Sequence, residues 1–276
     1  MRIAIITIAA NRDTHLRFHL RSLARSTVVA DEHVVVAIGD PAVADVVASE
    51  GSTTRLLWIE HDQGPLPLAY ARNAGAAAAL AAGAELLVFL DVDCLAGTEM
   101  LQRYVAAARQ RCHRHALLCG PVTYLPPPGS LGYDLDHVHE LRCPHPARPA
   151  PPAGTVLTGT DYNLFWSLSF AVTAVTWNRI GGFCTEYTGY GGEDTDLAQT
   201  AAAAGVGLRW VGGADAFHQY HSVSDPPVEH LADILANAEL FHRRWHRWPM
   251  EGWLHSFEEL GLITYDPIHR RWVQAV

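Results

Sequence analysis

The sequence predicts an α/β protein built on a parallel sheet covered on both faces, and two observations carry that prediction. Through Leu90, short β-branched runs alternate with stretches of helical spacing. Those runs are apolar throughout rather than at every second position, the pattern of strands buried on both faces. With 276 residues, 49% hydrophobic and 18% charged, the chain can fill one large domain or two intimately packed halves.

Ile3 to Ile8 is the first strand run, followed by polar residues and a helix marked by Leu16, Leu20 and Leu23. Val34 to Ile38 repeats the strand signal and stops at Gly39-Asp40-Pro41, and Arg55 to Glu60 is a third short strand. Leu66 to Ala82 is alanine-rich and helical, closed by Gly83. Leu86 to Leu90 is wholly apolar and runs straight into Asp91-Val92-Asp93. Functional loops of such sheets gather at the carboxyl ends of the strands, where this triplet falls. A helix from about Gly97 to Arg111 follows. Pro121 to Pro152 then carries nine of the chain's 16 prolines, unlike a packed core element, and a connection so long is functional or mobile. Ser167 to Trp177 alternates as a strand, Asp196 to Ala204 reads as a helix ended by Gly205, and Leu208 to Val211 is a last strand. Pro227 to Trp248 is an amphipathic helix with an aromatic, arginine-rich end.

All 20 basic residues are arginine, and the chain has no lysine. That excludes a Walker A lysine, a Schiff-base lysine and lysine-dependent nucleotidyl transfer. Codon bias in a GC-rich genome is a sufficient cause. Against 29 acidic residues the net charge is −9, which argues against a nucleic-acid partner, because phosphate neutralisation needs a basic face. Cys94, Cys112, Cys119, Cys143 and Cys184 form no Cys-x-x-Cys pair and read as reduced thiols of a cytosolic protein. The apolar start ends at Asn11-Arg12-Asp13, too short for a signal peptide. No stretch reaches the roughly 18 apolar residues of a membrane span, so a soluble chain is expected.

Four groups of residues carry chemistry. In an extended segment Asp91 and Asp93 share a face while Val92 points back, and two carboxylates at the open end of a sheet suit a hard divalent cation that also grips phosphates. Tyr190-Gly191-Gly192-Glu193-Asp194-Thr195-Asp196 stands just before a predicted helix. Its glycines let the backbone approach a ligand, and three acids in four residues exceed what helix capping requires. A carboxylate held ionised there can take the proton from an attacking hydroxyl. His218 and His221 face one way on a helical turn and diverge in a strand. Arg12, beside Asn11, and Arg72 are placed to clamp a diphosphate or stack on a base.

Together these residues resemble a GT-A fold glycosyltransferase of the inverting family 2 type, and the carboxyl-terminal half is especially similar to the β-1,4-galactosyltransferases. The Asn-Arg-x-x-His-Leu segment of that family is matched by Asn11 to Leu16, and its Asp-Val-Asp by Asp91-Val92-Asp93. Its Trp-Gly-Gly-Glu-Asp corresponds to Tyr190-Gly191-Gly192-Glu193-Asp194, and its Met-x-x-His-Ser to His218-Gln219-Tyr220-His221-Ser222. The run Trp177 to Phe183 also resembles the family, and the likeness spans roughly residues 1 to 225.

The resemblance implies a nucleotide-binding half with a mixed central sheet over 1–115 and an acceptor and catalytic half over 116–226. The proline-rich loop 121–152 lies in the second half, and a helical segment over 227–276 completes one GT-A domain. It implies transfer of a hexose, UDP-linked, to a hydroxyl of a sugar, a small molecule or a lipid-linked acceptor. Asp194 would be the base and Glu193 would hold sugar hydroxyls. Asp93, His218 and His221 would bind manganese or magnesium, histidine in place of methionine making the site harder. Ala9, Asn11, Arg12, Arg72, Asp91, Val92, Asp93, Tyr190, Gly191 and Gly192 would line the nucleotide sugar. Tyr190 in place of tryptophan changes the sugar pocket, and the proline-rich segment and the loop before Gly191 are lid candidates. The absence of an anchor or stem fits a bacterial cytoplasmic enzyme. The alternatives are a sugar nucleotidyltransferase, disfavoured by the missing lysine, and a non-catalytic binding relative, disfavoured by the intact acidic pairs. Residues 241–248 are either the packed end of a helix or a peripheral membrane contact.

Overall fold

In the computed structural model, residues 1–51 and 54–275 are described. The amino-terminal half alternates β1 (Ile3–Ala9), α1 (Asp13–Leu23), β2 (Glu32–Ile38), α2 (Ala42–Ser49), β3 (Arg55–Ile59), α3 (Leu68–Ala81) and β4 (Leu86–Leu90). Then come β5 (Cys94–Ala96), α4 (Met100–Arg109), β6 (Ala116–Cys119), β7 (Val122–Tyr124), β8 (Val156–Gly159), β9 (Ser169–Thr173) and α5 (Ala174–Ile180). The chain continues through α6 (Glu193–Ala203), β10 (Gly207–Val211), β11 (Ala216–His218), α7 (Leu231–Trp245) and α8 (Glu251–Glu259), and closes with the hairpin β12 (Ile263–Asp266) and β13 (Arg271–Gln274).

The main sheet has eight strands in the order β3-β2-β1-β4-β9-β6-β10-β8. Its first four strands are parallel, as their apolar runs predict. Beyond β4 the sheet is mixed: β9 is antiparallel to both β4 and β6, and β8 is antiparallel to β10. Because β1 and β4 pair in parallel, with Ile6 beside Phe89, their carboxyl ends emerge side by side. The Asn11-Arg12 and Asp91–Asp93 segments therefore share one edge. Phe89 and Phe170 stack at 4.6 Å across the β4–β9 seam, within a core that continues to Trp177 and Phe183.

A second sheet, β5-β11-β7, positions the site most directly. His218, at the end of β11, is in register with Cys94 on one side and Tyr124 on the other. The proline-rich segment thus contributes a strand. It also buries Leu125, Leu135 and Val138 against Leu95 and Phe217, so it packs as a wall.

Several expected boundaries move. Ser167 to Trp177 is a strand only as far as Thr173, whose hydroxyl caps α5 by accepting from the Thr176 N–H at 3.3 Å. Helix α6 begins at Glu193, earlier than Asp196, so Glu193 and Asp194 lie in its first turn. Three strands follow β10, and α2 fills a stretch in which no helix was expected. The carboxyl-terminal helix starts at Leu231, after a short 3-10 turn at Val228–His230.

Candidate active site

Helix α3 delivers the central cation. Gly75 makes this possible: a Cβ there would stand 2.6 Å from Ile6 Cγ2, so only glycine lets the helix lie this close to β1. Asn73 exchanges two hydrogen bonds with the Phe183 backbone, at 2.8 and 2.9 Å. Arg72, only 4% exposed, turns to the carboxylates. Its Nη2 donates to both oxygens of Asp91 at 2.9 and 3.1 Å, and its Nη1 donates to Glu193 Oε1 at 3.2 Å. The guanidinium also lies over the Phe183 ring, 5.4 Å from its centroid. Its buried Nε has no partner among the described residues.

Asp91 and Asp93 do not share a strand face. The chain turns immediately after β4, with the Cys94 N–H bonded to the Asp91 carbonyl at 2.9 Å. Asp91 goes to Arg72, and Asp93 goes to the histidines. Asp93 Oδ2 lies 3.5 Å from His218 Nε2 and 3.7 Å from His221 Nε2. The three ligand atoms lie within 4.8 Å of one another, the one such metal-competent group among the described residues. His218 and His221 converge without a helical turn. His218 ends a strand and His221 follows in irregular chain, pinned by the Gln219 N–H to the Asp93 carbonyl at 2.7 Å. Gln219 is itself buried, and its side-chain amide donates to the His15 carbonyl at 3.0 Å. Val92 turns into a cluster with Ala9 and Leu16, so Ala9 and Val92 border the site through their backbones.

The electrostatics separate the acids. Burial works against the Asp93 charge, but His218, His221 and Arg12 more than offset it and hold its carboxyl well below the usual range. Burial outweighs Arg72 at Asp91, which is raised. Burial and the adjacent Asp194 push Glu193 up to about 7 despite Arg72. Asp194 is also raised by burial, although the Thr195 N–H (2.6 Å), the Thr195 hydroxyl (3.3 Å) and the Ser167 backbone support its charge. A base-competent carboxylate thus stands at a helix start whose dipole favours the anion.

The remaining predicted residues frame the opening. Asn11 adopts a left-handed φ of 53°, and its N–H is held by Asp40 at 2.7 Å. Arg12 precedes α1 and makes no ion pair among the described residues, leaving its guanidinium free for an anion. Tyr190 stacks on His230 at 4.5 Å and on Trp253 at 5.9 Å, so the turn before α7 and helix α8 fix its ring. Gly191 and Gly192 have φ near +90°, a conformation that fits only glycine without strain. The loop before Gly191 is tied down: Asn237 of α7 donates to the Thr188 and Tyr190 carbonyls at 2.9 and 3.3 Å.

An aromatic series was not legible beforehand. Tyr124 stacks on His218 at 4.6 Å, His145 meets Tyr124 edge-on, and Trp166 meets His145 edge-on. Behind them Arg148, 6% exposed, is sandwiched between Trp166 and Trp210 at 4.8 and 5.0 Å. Its guanidinium nitrogens are buried without a hydrogen-bond partner among the described residues, and burial lowers its pKa from the ordinary value. His15 also adjoins the cluster, its ring 6.2 Å from that of His221. The proline-rich composition hid the first group, and no spacing joined His15 to the second pair.

Residues 158–222 match a family model described as the N-terminal domain of galactosyltransferase. This segment holds Gly191 to Asp194 and both candidate histidine ligands. Two validoxylamine A glucosyltransferases, from Streptomyces hygroscopicus subsp. limoneus and from subsp. jinggangensis (strain 5008), are each 28% identical over 278 aligned positions. The matches cover 88% of this chain but 56% and 60% of the relatives, so the chain spans little more than half their length. Among solved structures, S. aureus TarS 1-349 in complex with UDP-GlcNAc aligns with a TM-score of 0.57 at 12% identity, covering 94% of this chain and 78% of that one. GalNAc-T7 with UDP, GalNAc and Mn2+ aligns with a TM-score of 0.55 at 13% identity, covering 80% of this chain and 44% of that one. The fold is the GT-A fold.

Proposed function

We propose that this GT-A chain is a metal-dependent, inverting glycosyltransferase that moves a hexose from a UDP-sugar to a hydroxyl acceptor. One observation carries the reading: Asp93, His218 and His221 form a cation-competent cluster, and Arg72 ties Asp91, two residues before Asp93, to Glu193 beside Asp194. The glucosyltransferase relatives and the UDP-sugar complex of TarS support the hexose and the uridine nucleotide.

A carboxylate and two imidazoles suit a first-row divalent ion, and two nitrogen donors favour manganese over magnesium. Such an ion supplies charge stabilisation for the departing diphosphate. Arg12 contributes a fixed positive charge on the diphosphate side, and Arg72 holds Asp91 and Glu193 in place for the ribose and the sugar. Asp194 accepts the proton of the acceptor hydroxyl as it attacks from the face opposite the leaving group. Glu193 binds sugar hydroxyls, and Tyr124, His145, Trp166 and Tyr190 wall the sugar pocket and restrict water. The acceptor is a hydroxyl of a sugar, a small molecule or a lipid-linked carbohydrate. Five free thiols, and the absence among the described residues of any helix able to cross a membrane, favour the cytoplasm.

Asp194→Asn tests the assignment. The variant should keep metal-dependent UDP binding and lose transfer by roughly 10²–10⁴-fold, the range for a positioned base. Turnover close to that of the parent chain would remove Asp194 from the mechanism.

A further inference from the structure

The arginine- and aromatic-rich end of α7 divides its side chains between two tasks. Phe241, Arg244 and Trp245 face inward: Phe241 is fully buried, and Arg244 Nε and Trp245 Nε1 each donate to Asp196 Oδ1 at 2.7 Å. Arg247 lies over the Phe241 ring and donates to Asn163 Oδ1 at 2.8 Å. Arg243, His246 and Trp248, with His269, Arg270 and Arg271 of the β12–β13 hairpin, line a recess of about 380 Å³. None of the proposed active-site residues lines it.

Three features mark this recess as a built site. The first is charge. In a chain of net charge −9, the lining holds three arginines and three histidines against one lining carboxylate, Glu239, 3.9 Å from Arg243 at its nearest, with a second acid, Asp266, paired to His269. Arg270 and Arg271 make no ion pair among the described residues. The second is preorganisation: His242 lies flat on Trp248, rings 4.2 Å apart, and its buried Nδ1 has no partner among the described residues. His269 is oriented by Asp266 at 2.6 Å. The third is backbone strain. His246 closes α7 with φ 56° and Arg270 turns the hairpin with φ 51°, left-handed conformations that glycine adopts at least cost. Both strained positions carry cation-forming side chains that line the same recess, and strain of this kind gathers at ligand sites.

We propose that this recess binds a phosphate-bearing anion, at a site separate from the Asp93 cleft. Guanidinium forks match phosphate oxygens in pairs, and the volume suits a diphosphate group better than a monatomic ion. The group can belong to a soluble phosphate ester or to a lipid headgroup, for which Trp248 would sit at the interface.

Calorimetric titration with sodium pyrophosphate in EDTA tests the site while removing any contribution of a cation at Asp93. The parent chain should bind saturably, Asp93→Asn should bind equally well, and Arg270→Gly with Arg271→Gln should weaken binding at least about tenfold. Because Arg270→Gly relieves the left-handed residue, the melting temperature of the double variant should stay level or rise, separating loss of the ligand from misfolding. Co-sedimentation with phosphatidylcholine vesicles, with and without phosphatidylglycerol, identifies the source. Retention only on the anionic vesicles, lost in the double variant, assigns a headgroup, and pyrophosphate binding alone assigns a soluble ligand. Failure of the parent chain to bind either probe, or undiminished binding by the double variant, overturns the proposal.

Discussion

Arg72 pairs with Asp91 and Glu193, yet burial, more than its charge, sets how these two carboxylates titrate. Glu193 has an ordinary value of 4.5 and is pushed up to about 7, burial and Asp194 outweighing Arg72. An acid raised in the folded state contributes stability that is complete below its unfolded pKa and is lost as pH rises through the folded one. Between about pH 4.5 and 7, Glu193 should therefore cost the fold on the order of 2–3 kcal/mol as pH climbs. Glu193→Gln should flatten that part of the stability curve, measured by urea unfolding across the interval. An unchanged slope would place the titration elsewhere. In kinetics, Glu193 and Asp194 titrate as a pair, so the acid limb of kcat/KM should lie above the ordinary carboxylate range. Glu193→Gln should move that limb downward, because it removes the like charge beside the base. The importance of Asp194 was legible from three acids in four residues. Its partnership with Ser167 was not, because the two lie in separate segments that meet only when β9 enters the sheet.

Among the elements, α6 and α7 depend on one buried carboxylate. Asp196 accepts from the Tyr187 hydroxyl at 3.2 Å, from Arg244 Nε at 2.7 Å and from Trp245 Nε1 at 2.7 Å. Asp196→Ala should lower stability by about 2–4 kcal/mol, since it strands several donors, although Arg244 can still reach water. It should also raise KM for the donor, because α7 holds the Thr188–Tyr190 loop through Asn237. Chemical unfolding and steady-state kinetics check the two effects. The strands of the amino-terminal half were readable because each is apolar on both faces. The end of β9 was not, because Thr173 stops an alternating pattern with a side-chain cap that resembles any other strand threonine. The histidine pair was found for a geometry that does not occur: β11 and its exit, rather than a helical turn, bring the rings together.

At the scale of the whole molecule, the main sheet passes from parallel to mixed at the β4–β9 seam, and the proposed chemistry draws on its parallel strands and on the separate three-stranded sheet. Parallel β1 and β4 deliver Arg12, Asp91 and Asp93, and the small β5-β11-β7 sheet delivers His218 beside Asp93 and Tyr124. The first half of that plan follows from local apolar runs. The second rests on pairings between strands of three residues far apart in sequence, which carry too little periodicity to be read. The motifs, not the elements, located that half of the site. The central claim is that Asp93, His218 and His221 make nucleotide binding depend on a divalent cation. Titration calorimetry of UDP into the protein, with manganese and then with EDTA, tests it most directly. The parent chain should bind UDP at least tenfold more tightly with manganese, and His221→Ala should erase that difference. Equal UDP affinity in both buffers, or a manganese effect that survives in the variant, would contradict the account.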